Sequence, residues 1–286
     1  VNIYKSGEFI KAEEICKKLI SEYPKIAFLY NLIGLIYTGQ QKTDLAIQWY
    51  QKGIKADPNF AMIYNNLGQI FSNSNLEKDQ DKAMSYYKKS ISLDDKIPES
   101  LNNLANLYKS KNKYEDAIKF YKKAISVNNN FYIAHHNLAT TYVSLGKFDE
   151  AREIFNKVIS INNNFYNSHR SLSRITKYTP DNDHLKKLKI LYEKTSKENI
   201  DQKLNLSFSL GKAFEDIKDY KKSFEYYKEA NKLYRNKITF SLSAERKKIY
   251  NIMKFYNKKL VSDLKNEGFS KCKPIFIVGM PRSGTT

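Results

Sequence analysis

The feature that most constrains this chain is self-similarity at a period of about 34 residues from Ala27 onward. NLIGLIY at 31–37, NNLGQIF at 65–71, NNLANLY at 102–108 and HNLATTY at 136–142 are each followed by a second related block: LAIQWYQKGI, KAMSYYKKSI, DAIKFYKKAI and EAREIFNKVI. The second copy is stretched by three residues where SNSNLEKDQ lengthens a turn. Each block has helical spacing, so each copy reads as two antiparallel helices.

Side-chain size carries the packing argument. Gly34, Gly68, Ala105 and Ala139 mark one small position on a first helix, and Ala46, Ala83, Ala117 and Ala151 mark one on a second. Small residues at those points let two helices approach closely. Bulk returns at Tyr37, Phe71, Tyr108 and Tyr142 on the first helix, and at Tyr50, Tyr87, Tyr121 and Phe155 on the second. Each pair leaves an apolar face that the next pair covers.

These offsets resemble the tetratricopeptide repeat, over roughly residues 1–235. Pro24 and Pro58 keep the closing proline, and Asp95, Asn129 and Asn163 replace it with turn-forming residues. The resemblance implies an all-α solenoid. Residues 1–26 read as a partial repeat, with Phe9, Ala12, Cys16, Leu19 and Pro24 matching a second half whose first helix is missing, so the chain is expected to begin mid-unit. Residues 27–165 hold four full copies.

Residues 166–237 read as a degenerate and a final repeat. Tyr166 to Tyr178 is expected to be another first helix, although Thr176 has replaced the aromatic. TPDND at 179–183 supplies a breaker and N-caps for an independent helix with Leu185, Leu188 and Leu191 on one side. The pattern returns at Leu210, Gly211, Phe214, Tyr220, Ser223, Tyr227 and Ala230. Residues 238–273 read as a capping helix and linker, the helix spanning Ala244 to Leu264 with Ile249, Ile252, Met253, Tyr256 and Leu260 at helical spacing.

Residues 274–286, PIFIVGMPRSGTT, differ in kind. Pro274 to Val278 is a continuous apolar run bounded by Pro and Gly, as a strand buried in a parallel sheet reads. Gly279 to Thr286 has the glycines of a phosphate-binding loop, whose backbone N–H groups turn inward around a polyanion. Thr285 stands where a nucleotide triphosphatase needs lysine, which argues against a kinase-like P-loop enzyme, and Arg282 offers a cationic fork instead.

An apolar strand followed by PRSGTT resembles the 5'-phosphosulfate loop of sulfotransferases, in the form found in tyrosylprotein and bacterial enzymes, and a bacterial family places tetratricopeptide repeats before such a domain. The resemblance implies the first strand and P-loop of a truncated α/β sulfotransferase domain, with 3'-phosphoadenosine 5'-phosphosulfate as co-substrate. It makes Arg282 the catalytic residue that stabilises charge on the bridging oxygen, and gives Ser283, Gly284, Thr285 and Thr286, with Arg282, the cofactor phosphate. The solenoid is then expected to position a protein or peptide acceptor, the segment alone being inactive. The alternative from another class is a non-catalytic peptide-binding scaffold.

Asn66, Asn103 and Asn137 fall at equivalent positions on successive first helices, where they can line a concave groove and bind an extended peptide backbone; ordinary repeat usage explains them equally well. His135 and His169 occupy the place of a bulky aromatic, which favours packing over metal binding. His136 and His184 belong to no ligand pattern, and no metal site is expected.

The net charge of +19 accompanies lysine spread along the chain, without a dense arginine cluster or an aromatic-plus-basic module, so neither nucleic acid nor membrane is expected as a partner. Cys16 and Cys272 lie at opposite ends without ligand spacing, pointing to a reducing, cytoplasmic setting.

Overall fold

The computed structural model describes residues 8–74, 76–196, 198–238 and 241–255, which are helical throughout their regular structure. They fall into two compact units, 1–233 and 234–286. The strand expected at 274–278, the loop at 279–286 and Cys272 lie outside the described residues.

The first unit opens with α1 (Phe9–Glu22), followed by four helix pairs: α2 (Ala27–Gly39) with α3 (Thr43–Ala56), α4 (Ala61–Ser72) with α5 (Glu77–Leu93), α6 (Pro98–Ser110) with α7 (Tyr114–Val127), and α8 (Tyr132–Ser144) with α9 (Phe148–Ile161). Each pair packs internally and then against the first helix of the next, and α1 packs on α2 through the buried Ala12 and Cys16. Burial pushes the Cys16 thiol up, which keeps it protonated and unreactive.

The size pattern works as steric registration. A Cβ added to Gly34 would sit 2.2 Å from a Tyr50 ring carbon, and one on Gly68 would sit 2.6 Å from Tyr87. Tyr50, Tyr87, Tyr121 and Phe155 are almost wholly buried, each against the small residues of its own pair. Filling such an aromatic slot contributes about 1.5–3 kcal/mol per side chain.

The connections are also built from local chemistry. In α2, α6 and α8 the helix ends in a left-handed residue, Gln41, Asn112 or Gly146, with φ of 60°, 58° and 72°. The following N–H groups of Lys42, Lys113 and Lys147 reach back 2.9 Å to the carbonyls of Tyr37, Tyr108 and Tyr142, the six-to-one bond of a Schellman motif. Between pairs, Asp57, Asp94, Asn128 and Asn162 each accept the N–H two residues on, an Asx turn that orients the next first helix.

After α9 the pattern departs from expectation. The helix beginning at Tyr166, α10 (Tyr166–Ile175), stops three residues short of Tyr178 because Thr176 turns extended and its hydroxyl caps the Leu172 carbonyl at 2.7 Å. Tyr178 is buried, its N–H donating to Asp216 and its hydroxyl to the core, a placement that helical continuation would forbid. Asn182 then caps α11 (Asp183–Lys194), accepting from the N–H groups of His184 and Leu185 at 2.9 and 3.3 Å. Leu185, Leu188 and Leu191 are buried on one side of α11, against α12 (Ile200–Asp216). The repeat resumes with α12 and α13 (Tyr220–Lys237), where Gly211 faces the Tyr227 ring and accepts from the Ser223 hydroxyl.

In the second unit α14 spans Leu242–Phe255, two residues earlier than the expected start at Ala244; the rest of the expected capping helix lies outside the described residues. Among the described residues no helix is long and apolar enough to cross a membrane.

Candidate functional site

The first helices carry a continuous run of carboxamides. Asn137 donates through Nδ2 to Oδ1 of Asn102 at 2.9 Å, Asn102 to Asn103 at 3.3 Å, and Asn103 to Asn65 at 3.1 Å. Asn65 continues to Asn66 at 3.2 Å, and Asn66 to Asn31 at 2.8 Å. The run zigzags because α4 and α6 each contribute two adjacent residues, one reaching back to the previous helix and one reaching sideways to its neighbour, while α8 and α2 contribute the single ends Asn137 and Asn31. Buried carboxamides need such partners, since an unmade bond there costs about 1–3 kcal/mol.

The expected peptide-contacting residues therefore differ in what they have left. Asn66 is buried and committed to Asn31 and Asn65. Asn103 and Asn137 are half-buried, and each carboxamide has two N–H groups and two lone pairs, of which the run uses only some. Thr140, one turn on from Asn137 and bonded to its carbonyl at 2.9 Å, accepts from Lys109 at 2.7 Å, with burial pulling the ammonium pKa down.

Histidine plays two parts. Tyr30 and Tyr64 each donate a phenol to the carbonyl six residues earlier, Pro24 and Pro58, at 2.9 Å. His135 and His169 stand at the same repeat position and donate Nε2–H to Asn129 and Asn163 at 3.0 and 2.9 Å. The aromatic reading of these two positions thus includes a polar tie to the closing turn.

That tie fixes every proton downstream. A carbonyl only accepts, so His169 Nε2 carries the hydrogen and Nδ1 is left to accept from His184 Nε2–H at 2.9 Å. His184 Nδ1 then accepts from the Tyr178 hydroxyl at 2.7 Å, and Tyr178 accepts from Ser173 at 2.8 Å. Burial, reinforced by the neighbouring His169 and Lys187, pushes the His184 pKa down to about 3, and burial lowers that of His169 as well. His136, bonded to Ser168 at 2.7 Å, is pushed down to about 4 by burial and then by Lys109. All three rings are neutral at physiological pH.

Sequence spacing leaves His184 isolated, whereas the structure pairs it with His169. Nothing in the spacing announces this, because the pairing depends on the swing of α11 after the break. The partners of Asn66, Asn103 and Asn137 are legible in principle from the NN doublets at 65–66 and 102–103. Among the described residues no group of three or more His, Cys, Asp or Glu side chains is placed to hold a metal. Arg282, Ser283, Gly284, Thr285 and Thr286 lie outside the described residues.

Stacked antiparallel helix pairs with small-residue contacts and tied turns define a helical-repeat protein. Tetratricopeptide repeat models match residues 98–131, 132–165 and 204–237, a TPR repeat model matches 34–74, and a Sel1 repeat model matches 61–95, over the copy with the longer turn. The chain belongs to the tetratricopeptide-repeat proteins.

Among solved structures, PilF of Pseudomonas aeruginosa is similar with a TM-score of 0.59 at 21% identity, over 79% of this chain and 98% of that one. A thermophilic TPR protein of Thermus thermophilus gives 0.52 at 14%, over 61% of this chain and 94% of that one. These likenesses concern the fold. An uncharacterized protein of Aquifex aeolicus is 39% identical over 79 residues, 28% of this chain and 10% of its own length. The ycf37 protein of Guillardia theta is 38% identical over 50 residues, 18% of this chain and 28% of its own. The chain thus matches under a third of the length of these curated relatives.

Proposed function

We propose that the repeat array is a protein-interaction module that holds a peptide segment of its partner along the first-helix face. The observation that supports this reading is the carboxamide run, which leaves the half-buried Asn103 and Asn137 with hydrogen-bonding capacity beside Lys109 and Thr140. An extended peptide backbone offers the matching alternation of N–H and C=O. A photo-crosslinking residue at Gln69 or Ile133, both exposed on first helices, should capture the partner. Capture only from positions on the second helices, such as Lys88 and Lys122, would refute the first-helix assignment.

A second reading rests on GMPRSGTT at 279–286. In it the module presents an acceptor to a sulfotransferase that uses 3'-phosphoadenosine 5'-phosphosulfate, with Arg282 neutralising charge on the phosphosulfate and Ser283, Gly284, Thr285 and Thr286 donating to the phosphate. The longest natural product carrying this sequence should bind adenosine 3',5'-bisphosphate, and Arg282→Ala should weaken that binding at least tenfold. Binding of ATP in preference to the bisphosphate would dismiss this reading and leave the interaction module standing.

A further inference from the structure

The break after α10 opens a cleft of about 920 Å3 between α9 and α11, floored by Leu172 of α10 and by Thr176 just beyond its end. In the regular copies the second helix closes directly on its own first helix, whereas α11 packs mainly against α12. The space left over is lined by two facing stripes. On α11, His184, Lys187, Leu191 and Lys194 recur at helical spacing; on α9 so do Arg152, Asn156 and Ile159, with Asn163 in the turn that follows.

The charges in this cleft are unbalanced. Asp183 is the one acid in the lining, and it is turned to Lys186 at 3.1 Å. Arg152 is held by Asp149 at 2.5 Å and by the Ile175 carbonyl at 3.2 Å. Among the described residues no carboxylate lies within ion-pair distance of Lys187 or Lys194. The field of Lys187 reaches His169 and His184, where it adds to burial in keeping both rings neutral. An anionic group entering here meets two ammonium groups without competition.

The remaining lining decides the kind of anion. Ile159, Leu172, Ile190 and Leu191 provide an apolar centre, and Asn156 and Asn163 provide amide donors and acceptors suited to a main chain. None of the lining residues is Phe, Tyr or Trp, so the stacking platforms that hold nucleic acid bases are missing from it.

We propose that this cleft binds an acidic peptide segment of a partner protein, with carboxylates on Lys187 and Lys194 flanking an apolar side chain over Leu172. The proposal rests on the interaction-module reading and adds a second contact surface, separate from the Asn103 and Asn137 face.

Fluorescence anisotropy with the full chain tests it, using a labelled Glu-Leu-Asp-Leu-Glu peptide and a Lys-Leu-Lys-Leu-Lys control. The acidic peptide should bind saturably and the basic one should not. Lys187→Glu combined with Lys194→Glu should weaken binding at least tenfold, with helicity unchanged by circular dichroism. Lys88→Glu combined with Lys122→Glu, the same charge change on exposed positions of α5 and α7, should leave it within twofold. Equal loss in both double variants, absence of binding, or full competition by an oligothymidylate would each overturn the proposal. Crosslinking from Gln69 and Ile133 reads the first-helix assignment independently, so failure at one surface is distinguishable from failure at the other.

Discussion

His184 Nε2–H donates to His169 Nδ1 across 2.9 Å, the two rings lying 6° from parallel with centroids 5.2 Å apart. Two charged imidazoles at this distance would repel, and the burial of His169 with the partial burial of His184 disfavours charge on either ring.

Acid should therefore loosen the chain. The His184 pKa is near 3 in the fold and about 6.5 in the unfolded chain, so the unfolded state binds more protons between those values. Stability contributed by the neutral ring is complete above about pH 6.5 and is lost as the pH falls toward 3, roughly 2 kcal/mol of it by pH 5. Urea midpoints at pH 7.5 and 5 should show this loss, and His184→Leu should be less stable at pH 7.5 but flatter between the two. An unchanged wild-type midpoint would contradict the assignment.

His135 should accept tyrosine more readily than leucine. Tyrosine occurs at the same repeat position as Tyr30 and Tyr64 and makes the same six-residue tie, so His135→Tyr should stay within about 0.5 kcal/mol of wild type. His135→Leu loses the bond to Asn129 and should cost about 1 kcal/mol. Denaturant melts of the two variants separate packing from hydrogen bonding.

The carboxamide run should show coupling. Asn66→Leu strands the buried Asn31 and Asn65 groups and should cost about 1–3 kcal/mol. Adding Asn31→Leu removes one stranded partner, so the double variant should be more stable than the sum of the singles. A double-mutant cycle with additive costs would mean that the Asn66–Asn31 bond is energetically idle.

Gly34→Ala should test the steric registration. Its methyl would lie 2.2 Å from Tyr50, which must move within a packed slot, at a cost of about 1–3 kcal/mol. Thermal melts should show no comparable loss for Gly39→Ala, whose Cβ would meet Phe9 ring carbons at an ordinary 3.6 and 3.8 Å.

The fold was legible because size, not identity, is what repeats: glycine or alanine at one level and an aromatic at another survive as a pattern along the chain. The Asn182 cap and the leucine stripe of α11 were equally readable, since both follow from local rules. The His169–His184 pair was not. Its members are separated by TPDND, and their meeting depends on α11 settling against α12, a choice made by the burial of Leu185 and Leu188 rather than by anything near either histidine. The asparagines fell between these cases. Their common level was visible, but the alternate bonding to Asn31, Asn65 and Asn102 required the helices to be placed first.

From Asn137 to Asn31 every nitrogen gives in the same sense, so the amide dipoles add instead of cancelling. The α8 end is left oxygen-rich and the α2 end hydrogen-rich. A polypeptide lying along these helices would therefore encounter a surface with a sense of travel, and reversing its direction would set like poles against each other.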